Sequence, residues 1–391
     1  MINFIGGNQI KLLRSGIEYF PALETAIESA SHDIYIQSYI YQADTVGVSI
    51  GNALVRAAQR GVLVNILLDG FGSKDLPNNY IKGLEFAGIE VIFYRPKISL
   101  WSLKKNRLRR LHRKVIVIDN KIAFVGGINI IDDFDLSNSE QNYMHPRMDY
   151  AVRIEGKLLP VIAESVHKLW RRMAWIHFLS IKNHSNKFSD EIKLQAKSSD
   201  MKAAFVVRDN VLHRNDIEDA YLEAINAAKY EIIIANAYFV PGRRFRKALL
   251  DAAKRGVTVK LLLQGRMEYF LMFATHAFYS GFLKNGIEIY EYRKSFMHSK
   301  VAVIDNDWAT VGSSNIDPFS LLLAREANVI IKDVTFSTEL REDIIFSIQD
   351  GATQVSPKEW AKGNIIKRFA SWIAFGLVRI FLGVIGQSNE Q

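Results

Sequence analysis

The chain of 391 residues contains no cysteine. The protein therefore has no disulfide framework, no thiolate nucleophile and no cysteine-based zinc site. The N-terminus also lacks the basic region followed by a long apolar stretch that marks a signal peptide or an N-terminal anchor. We expect an intracellular protein.

The sequence has fewer acidic residues than basic ones. The sequence has 50 Lys and Arg against 41 Asp and Glu, which gives a formal net charge of +9 and a pI near 9.4. This excess favours an anionic partner, either nucleic acid or an acidic membrane surface, and charge alone does not choose between them. A hydrophobic fraction of 49% indicates a globular protein, and the length predicts two domains because it exceeds what one core usually supports.

One pattern, His-x-Lys-x4-Asp-x6-Gly-x-x-Asn, occurs twice. Its members are His112, Lys114, Asp119, Gly126 and Asn129, and again His298, Lys300, Asp305, Gly312 and Asn315. Each copy lies in a short apolar run typical of a strand, where alternate side chains share a face, so the His and the Lys point the same way. An imidazole, an ammonium and a carboxamide together form a phosphate receptor. Two copies supply two histidines, one to attack and one to protonate a leaving oxygen.

A single strand histidine is more often a buried core residue than a catalytic group. Five matched positions in two copies reverse that expectation and favour one shared catalytic site. The sequence around the motifs is duplicated as well, because residues 53–62 align with residues 248–257. Each of these stretches reads as a helix that ends at a glycine, Gly61 or Gly256, and is followed by an apolar strand.

Alternating strands and helices predict an α/β sandwich in each half. We expect the halves to meet through the motif strands, with the active site at their pseudo-twofold junction. The predicted domains are residues 1–185, with a motif at 112–129, and residues 200–360, with a motif at 298–315. A polar linker around residues 183–199 separates them.

The duplicated motif resembles that of the phospholipase D superfamily, and the resemblance covers nearly the whole chain. It implies two tandem phospholipase D-like domains. Flanking stretches are similar to bacterial cardiolipin synthases, closest to the short type called B, which lacks the two N-terminal transmembrane helices of longer members. These stretches are residues 68–73, 209–214, 235–242, 308–318 and 326–331.

The resemblance implies a reaction in two steps. One histidine attacks the phosphorus of a phosphatidyl donor and forms a phosphohistidine, while the other protonates the leaving alcohol. We assign the attack to His112 and the acid and base roles to His298. No metal and no cofactor are expected, because Lys114 and Lys300 already supply positive charge and the transfer conserves the phosphodiester energy.

Further residues are assigned to the phosphate and to the histidines. The expected phosphate ligands, besides the two lysines, are Asn129, Asn315 and Ser313. The first copy has Gly127 where the second has Ser313, so one half-site lacks a hydroxyl donor. The half-sites are then not equivalent.

Each histidine also needs a carboxylate on its other ring nitrogen. Glu326, 28 residues after His298, is in the family's position for this role, and Asp149 is its counterpart in the first half. Asp119 and Asp305 belong to the motif's catalytic set. Strand alternation over five residues nevertheless points their carboxylates to the opposite face unless a bulge intervenes, so we expect structural roles.

Three stretches favour lipid over nucleic acid, and a fourth, basic stretch leaves the choice open. Residues 364–386 mix aromatic residues with Lys and Arg, which predicts a membrane-associating helix, with docking onto protein as the alternative. Residues 267–279 are too apolar for a nucleic-acid groove and suit acyl chains or an ordinary buried helix. Residues 169–179 pair Trp with Arg, as an interfacial helix does. Residues 97–110 form a basic stretch that suits anionic headgroups or a solvated loop.

The sequence thus predicts a cardiolipin synthase that transfers a phosphatidyl group from one phospholipid to a hydroxyl of phosphatidylglycerol and releases glycerol. Phosphatidylethanolamine is a further candidate donor. The expected location is the cell membrane, peripheral on the cytoplasmic face, against an anionic surface. The alternatives are a phospholipase D-type hydrolase and a phosphodiesterase or nuclease of the same superfamily, although nucleic acid is the less favoured partner.

Overall fold

A computed structural model describes residues 2–95, 109–134, 145–177, 200–209, 213–266, 270–317, 324–362 and 376. The first half begins with a strand and alternates strands with helices. Its elements are β1 (Ile5–Arg14), α1 (Ser15–Glu28), β2 (Asp33–Ser38), α2 (Thr45–Gln59), β3 (Leu63–Asp69), α3 (Asn78–Phe86), β4 (Glu90–Tyr94), β5 (Arg110–Leu111), β6 (Lys114–Ile118), β7 (Ile122–Gly126), β8 (Tyr150–Gly156) and α4 (Leu159–Ile176).

The second half repeats this order without a counterpart of β5 and with one further strand and one further helix at its end. Its elements are β9 (Met201–Arg208), α5 (Asp216–Ala227), β10 (Glu231–Asn236), α6 (Arg243–Lys254), β11 (Thr258–Gln264), α7 (Phe270–Lys284), β12 (Glu288–Tyr292), β13 (Lys300–Ile304), β14 (Trp308–Gly312), β15 (Ala324–Lys332), α8 (Val334–Gly351), β16 (Ala352–Gln354) and α9 (Pro357–Lys362). Alternation of strands and helices confirms the predicted α/β class.

The strands of both halves form one continuous sheet. Its order is β16-β12-β11-β10-β13-β14-β15-β9-β1-β8-β7-β6-β2-β3-β4, and β5 pairs with β15. Antiparallel pairing of β1 with β9 joins the halves, and the strand order is the same on either side of this pair. The predicted pseudo-twofold repeat is therefore present. The motif strands β6 and β13 do not hydrogen-bond to each other, because each lies inside its own half of the sheet.

The register of the motif strands is the same in both halves. On β6, Ile118 lies opposite Ile34 of β2, and on β13, Ile304 lies opposite Ile232 of β10. Each motif strand is antiparallel to its neighbour, whereas β2, β3 and β4 run parallel to each other, as do β10, β11 and β12. The start of each motif strand therefore lies at the same sheet edge as the carboxyl ends of these parallel strands, where α/β proteins place their sites.

The glycines that end α2 and α6 have the predicted role. Gly61 has φ +90° and Gly256 has φ +89°, and no atom lies within 4 Å of the place where a Cβ would be. A side chain would meet no neighbouring atom at either position. Glycine is favoured there because it adopts the left-handed backbone conformation without strain.

Buried apolar side chains of the described residues form a core in each half, a shared core between the halves and a smaller cluster between α4 and the strands β3, β4 and β5. The shared core takes alternate residues from both motif strands, including Val115 and Val117 of β6 and Val301 and Val303 of β13. The intervening residues of these strands face the helices of their own half. The motif strands are thus buried on both faces, which holds their first residues in place at the junction.

Two of the stretches assigned to lipid contact are partly described. Ala274, Phe278 and Tyr279 of α7 are buried in the core of the second half, so the structure supports the buried-helix interpretation for this part of residues 267–279. On α4, Trp170 packs inside the protein, whereas Trp175 is 73% exposed. Residues 97–108, the linker and residues 364–375 and 377–386 lie outside the described residues. Among those described, no helix has the length and hydropathy needed to cross a membrane.

Candidate active site

The two histidines are held at the junction by backbone contacts between the halves. His112 N donates to the carbonyl oxygen of Arg325 at 3.0 Å, and His298 N donates to that of Met148 at 2.8 Å. Short parallel pairings continue each contact, β5 against the start of β15 and Met297 against Met148. Each motif histidine therefore lies directly beside the opposite half of the chain.

The carboxylates that face the histidines are exchanged between the halves. His112 Nδ1 lies 2.9 Å from Glu326 Oε1 and 3.1 Å from Oε2, and His298 Nδ1 lies 2.7 Å from Asp149 Oδ2. The sequence places each carboxylate after the histidine of its own half, but in the structure each one contacts the histidine of the other. The site is consequently incomplete in either half alone.

The motif lysines are buried beside the histidines. Lys114 Nζ donates to the carbonyl oxygen of His112 at 2.8 Å, and Lys300 Nζ makes the equivalent bond to His298. Burial lowers the pKa of Lys114 to about 7 and that of Lys300 to about 8, although Glu326 and Asp149 both raise these values. The two ammonium groups are therefore desolvated, and an anion that replaces water beside them gains a strong interaction.

Burial also decides the protonation of the histidines. It lowers the pKa of His112, an effect that Glu326 opposes and Lys114 strengthens. Burial lowers the pKa of His298 well below its usual value, and Lys300 and Lys114 lower it further. A neutral imidazole whose Nδ1 hydrogen is donated to a carboxylate presents the Nε2 lone pair as a nucleophile or base. His112, which faces Glu326 through Nδ1, is arranged for this role.

The two histidine–carboxylate pairs, His112–Glu326 and His298–Asp149, differ in how readily they hold a proton near neutral pH. Burial raises the pKa of Asp149 to about 7, against the opposing charge of Lys300 and a hydrogen bond from its neighbour Tyr150. A carboxyl with this pKa retains a proton near neutrality. A proton on Asp149 is equivalent, by exchange across the 2.7 Å hydrogen bond, to a proton on His298.

Each histidine also contacts an aromatic ring, but the rings come from different elements. His112 lies against Tyr39, with ring centroids 4.7 Å apart, and Lys114 Nζ is 5.3 Å from the centre of the same ring. His298 stacks with Phe296 at 6.3 Å and an interplanar angle of 20°. In the second half Ala237 aligns with Tyr39. These rings exclude water from one side of each imidazole.

The motif asparagines lie where the sequence places them, just after β7 and β14, and both are buried. Asn129 Oδ1 accepts a hydrogen bond from Ile40 N at 3.2 Å. Because the oxygen is used in this way, the amide nitrogen is the group that is offered as a donor. This arrangement is compatible with the expected contact to a phosphate oxygen.

Ser313 has a different contact from the one expected. Its hydroxyl donates to Glu326 Oε2 at 2.5 Å and accepts from Ala327 N at 3.1 Å, so in this rotamer it contacts the carboxylate that faces His112. At the corresponding Gly127, an added Cβ would lie 2.3 Å from Asp149 Oδ1. Ser313 thus lies beside the longer side chain of Glu326, and Gly127 lies beside the shorter side chain of Asp149.

Comparison with known proteins identifies relatives of this chain. A family model described as "Cardiolipin synthase, PLD-like domain" matches residues 23–155 and 221–345. Cardiolipin synthase B of Salmonella typhimurium (strain LT2) is 39% identical over 97% of this chain and 90% of that protein, and cardiolipin synthase B of Escherichia coli (strain K12) is 37% identical with the same coverage. Cardiolipin synthase 1 of Bacillus anthracis is 30% identical over 92% of this chain and 70% of that protein.

The chain belongs to the cardiolipin synthase family. The predicted resemblance to the short type B is confirmed. Among solved structures, phosphatidylserine synthase of Haemophilus influenzae Rd KW20 has a TM-score of 0.71 and is 14% identical, over 99% of this chain and 96% of that chain. This match shows that the fold is shared across nearly the whole length.

The two aspartates of the motif, Asp119 and Asp305, lie outside the site that the motif histidines, lysines and asparagines form. Asp119 accepts hydrogen bonds from Ser31 N, His32 N and Asp33 N at 2.8, 2.8 and 2.9 Å. Asp305 accepts from the backbone of residues 229, 230 and 231 in the same way. Each lies at the far end of its motif strand, about 16 Å from the lysine at a rise of about 3.3 Å per residue. Their place in the catalytic set is thus corrected to the structural role that strand alternation predicts.

Replacing Asp119 with alanine is expected to destabilise the fold without removing catalysis. Three backbone donors lose their acceptor, and alanine is strained at φ +52°, so we expect a loss of about 1–3 kcal/mol. Asp119→Asn, which keeps one acceptor oxygen and tolerates this φ, is expected to lose less. Thermal unfolding and kcat at 25 °C check this, and a large fall in kcat with unchanged Tm would contradict the structural role.

The sequence interpretation missed Tyr39, Phe296 and Asp69. Asp69 ends β3, is fully buried, and accepts from Leu111 N at 2.8 Å, next to His112. It also lies 3.4 Å from Arg110. Tyr39 follows β2 and Asp69 ends β3, and the carboxyl ends of these parallel strands converge on the site. A polar or aromatic residue at such a strand end is the sequence signal that could have identified both.

Proposed function

We propose that this protein is a cardiolipin synthase that joins two phosphatidylglycerol molecules and releases glycerol. The observation that carries the proposal is the pair of partly buried histidines, one from each half, each with a carboxylate on Nδ1 and a buried lysine beside it. Phospholipid substrates accord with membership of the family. Phosphatidylethanolamine is proposed as a second donor, because the site contacts described above address the phosphodiester that both lipids share.

In the first step, His112 Nε2 forms a bond to the phosphorus of the donor. The bond between phosphorus and the glycerol oxygen breaks, and the leaving oxygen takes a proton from His298. Lys114, Lys300 and the amide of Asn129 balance the charge that builds on the nonbridging oxygens. The product is a phosphatidyl group on His112 and free glycerol.

The proton balance supports His298 as the acid. The raised pKa of Asp149 lets the His298–Asp149 pair hold a proton near neutrality, which the pair can release to the leaving oxygen. Burial is the largest cause that lowers the pKa of His298, and the charges of Lys300 and Lys114 come next. An anionic phosphodiester between the two lysines offsets these charges and raises the pKa of His298 again. Substrate binding therefore charges the acid.

In the second step, a glycerol hydroxyl of another phosphatidylglycerol attacks the phosphohistidine. His298 now accepts the hydroxyl proton, the new oxygen–phosphorus bond forms, and the bond from phosphorus to His112 Nε2 breaks. Water in place of the lipid hydroxyl gives phosphatidic acid. Exclusion of water by the buried site and its aromatic rings favours the lipid acceptor.

The lysines predict an alkaline limit to activity. Burial places the pKa of Lys114 at about 7 and that of Lys300 at about 8, so the free enzyme loses positive charge as the pH rises through this range. A bound phosphodiester favours the charged lysines and raises both values. We expect kcat/KM to fall above pH 7–8 and kcat to fall only at higher pH, as a profile from pH 6 to 10 will test. If kcat and kcat/KM instead fell at the same pH, the proposed contact between the lysines and the bound phosphodiester would be contradicted.

We further propose that the protein acts on an anionic membrane surface, peripherally and on the cytoplasmic face. Support comes from the end of α4, where Trp175 and Ile176 are exposed and Arg171 and Arg172 precede them. Apolar side chains next to basic ones are typical of residues that lie at headgroup level. Residues 364–386 are proposed as a second membrane contact on the basis of their sequence alone.

Product analysis tests the proposed reaction. Purified protein is incubated with phosphatidylglycerol vesicles, and lipids and glycerol are measured by mass spectrometry. The proposal predicts cardiolipin and glycerol in equal amounts. Phosphatidic acid as the sole lipid product would instead assign the protein as a hydrolase.

A further inference from the structure

Arginine side chains from both halves converge on the buried ring of Tyr94, where β4 ends. The guanidinium of Arg95 lies 5.4 Å from the centre of this ring, and Arg325 Nε donates to the Tyr94 hydroxyl at 3.4 Å. Arg109 directly precedes β5, which pairs with the start of β15 and so lies beside Arg325. We call Arg95, Arg109 and Arg325 the arginine cluster.

The charges of the arginine cluster are not neutralised by ion pairs. In the part of the chain that the structure describes, no Asp or Glu forms an ion pair with any of the three side chains. The nearby carboxylates are engaged elsewhere, because Asp69 accepts from three backbone nitrogens and pairs with Arg110, and Glu326 faces His112. The sequence itself contains no Asp or Glu from residue 91 to residue 118.

This arrangement is unfavourable without a bound anion. Burial lowers the pKa of Arg95, and the charges of the neighbouring arginines add to this effect while Tyr94 opposes it. Arg95 Nη1 and Arg109 Nε are buried and have no hydrogen-bond partner among the described residues. Arg95 also has φ +52°, a left-handed conformation that is unfavourable for arginine. An anion with several oxygen atoms would supply both the missing charge and the missing acceptors.

Arg113 adds a further positive charge behind the cluster. Its side chain is buried and donates to Gln37 Oε1 at 2.5 Å and to the hydroxyl and carbonyl oxygens of Ser165, on α4, at 3.0 and 3.1 Å. All of these acceptors are uncharged, so they satisfy the donors of Arg113 without cancelling its charge. Burial and the charge of Arg325 lower the pKa of Arg113 to about 9. The region thus remains electropositive below its surface.

The cluster is separate from the catalytic lysines. Arg113 and Arg325 directly adjoin Lys114 and Glu326 in the sequence, and successive side chains of a strand point to opposite faces. The contacts agree with this alternation, because Arg113 reaches α4 whereas Glu326 faces His112. An anion bound by the cluster therefore occupies a different place from the phosphodiester that lies between the two lysines.

The arginine cluster lies beside the part of α4 that is proposed to contact the membrane. Tyr94 packs in one apolar cluster with four residues of this helix between positions 169 and 174. The next two residues, Trp175 and Ile176, are exposed. A phospholipid whose phosphate is bound by the arginine cluster would find apolar side chains for its acyl chains close by.

We propose that the arginine cluster is a second phosphate site, outside the catalytic site, that binds the phosphate of an anionic phospholipid. The guanidinium groups donate to the nonbridging oxygens, and the lipid is held without any covalent step. The choice of a lipid as the source of the phosphate rests on the proposed membrane contact of α4. The site itself does not depend on the proposed reaction.

Calorimetric titration with dihexanoylphosphatidic acid tests the site. This lipid dissolves as a monomer and has no alcohol headgroup to transfer. The wild type is expected to bind two molecules per chain, one at the catalytic lysines and one at the arginine cluster. Arg95→Gln and Arg109→Gln are each expected to weaken one of the two sites about ten- to hundredfold, and Lys300→Ala is expected to weaken the other. Inorganic phosphate is expected to bind the cluster about tenfold more weakly than the lipid, or weaker still, because it has no acyl chains.

Thermal unfolding without any anion gives an independent test. Arg95→Gln and Arg109→Gln each remove one of several unpaired like charges, so each is expected to raise Tm by about 1–3 °C in phosphate-free buffer. A purely structural role would lower Tm instead. Arg56→Gln is the control, because Arg56 is paired with Glu28 at 2.6 Å. It is expected to give no rise in Tm and to retain both lipid sites.

The outcomes separate this inference from the proposed reaction. Binding of a single lipid by the wild type, or a lower Tm in both arginine variants, would overturn the second site. Equal affinity for inorganic phosphate and for the lipid would overturn the lipid as its ligand. Two bound lipids in a protein that forms no cardiolipin would support the second site and refute the proposed reaction.

Discussion

His112→Ala is expected to abolish phosphatidyl transfer, with a loss of roughly a thousandfold or more, because no other group forms the covalent intermediate. His298→Ala is expected to be equally inactive with phosphatidylglycerol, since the leaving glycerol oxygen then receives no proton. The two variants differ with phosphatidyl-p-nitrophenol, whose leaving group needs no acid. We expect His298→Ala to release about one p-nitrophenol per active site and then stop, and His112→Ala to release none.

Stability measurements accompany these assays. Both histidines lie at the start of a motif strand and contribute little to the shared core, so thermal unfolding is expected to remain close to that of the wild type. A burst in His112→Ala and none in His298→Ala would exchange the two roles. Full turnover by either variant would refute a site with two histidines.

Glu326→Gln and Asp149→Asn are expected to lower kcat by about 10²–10⁴, because an amide can hold the imidazole in the wrong tautomer. The structure makes the further prediction that each substitution acts on the histidine of the opposite half. Glu326 contacts His112 at 2.9 Å, and Asp149 contacts His298 at 2.7 Å. The effect of Glu326→Gln is therefore on nucleophilic attack and that of Asp149→Asn on proton transfer.

The His298→Ala background separates these effects. Adding Glu326→Gln is expected to slow the p-nitrophenol burst strongly, whereas adding Asp149→Asn is expected to change it little, since its partner is already absent. The reverse pattern would mean that each carboxylate serves its own half. Equal slowing by both substitutions would indicate a general change in the site and not an exchange of partners.

Much of the fold was predictable from the sequence because it depends on local signals. The glycines after α2 and α6 and the apolar motif strands each have one favourable conformation, and the structure contains them at the predicted places. Strand periodicity also separates Lys114 from Asp119, and the hydrogen bonds of Asp119 agree with that separation. The number of matched positions in the two copies was sufficient to predict one shared site.

Contacts between the halves were not predictable in this way. Pairing of β1 with β9 joins the two halves of the sheet, and Glu326 contacts His112 across the junction between the halves. Nothing in the spacing between His298 and Glu326 specifies that arrangement. The role of the Ser313 hydroxyl similarly depends on the rotamer of a carboxylate 13 residues away in the chain. Sequence patterns specify which groups take part, whereas the tertiary contacts specify which partner each group has.

The most direct test of the account is the location of the covalent intermediate. His298→Ala protein is mixed with phosphatidyl-p-nitrophenol, quenched under conditions that preserve phosphohistidine, and digested for mass spectrometry. The account predicts a phosphatidyl group on the peptide that contains His112. An adduct on any other residue, or no adduct in a variant that releases p-nitrophenol, would contradict attack by His112 at a site shared between the two halves.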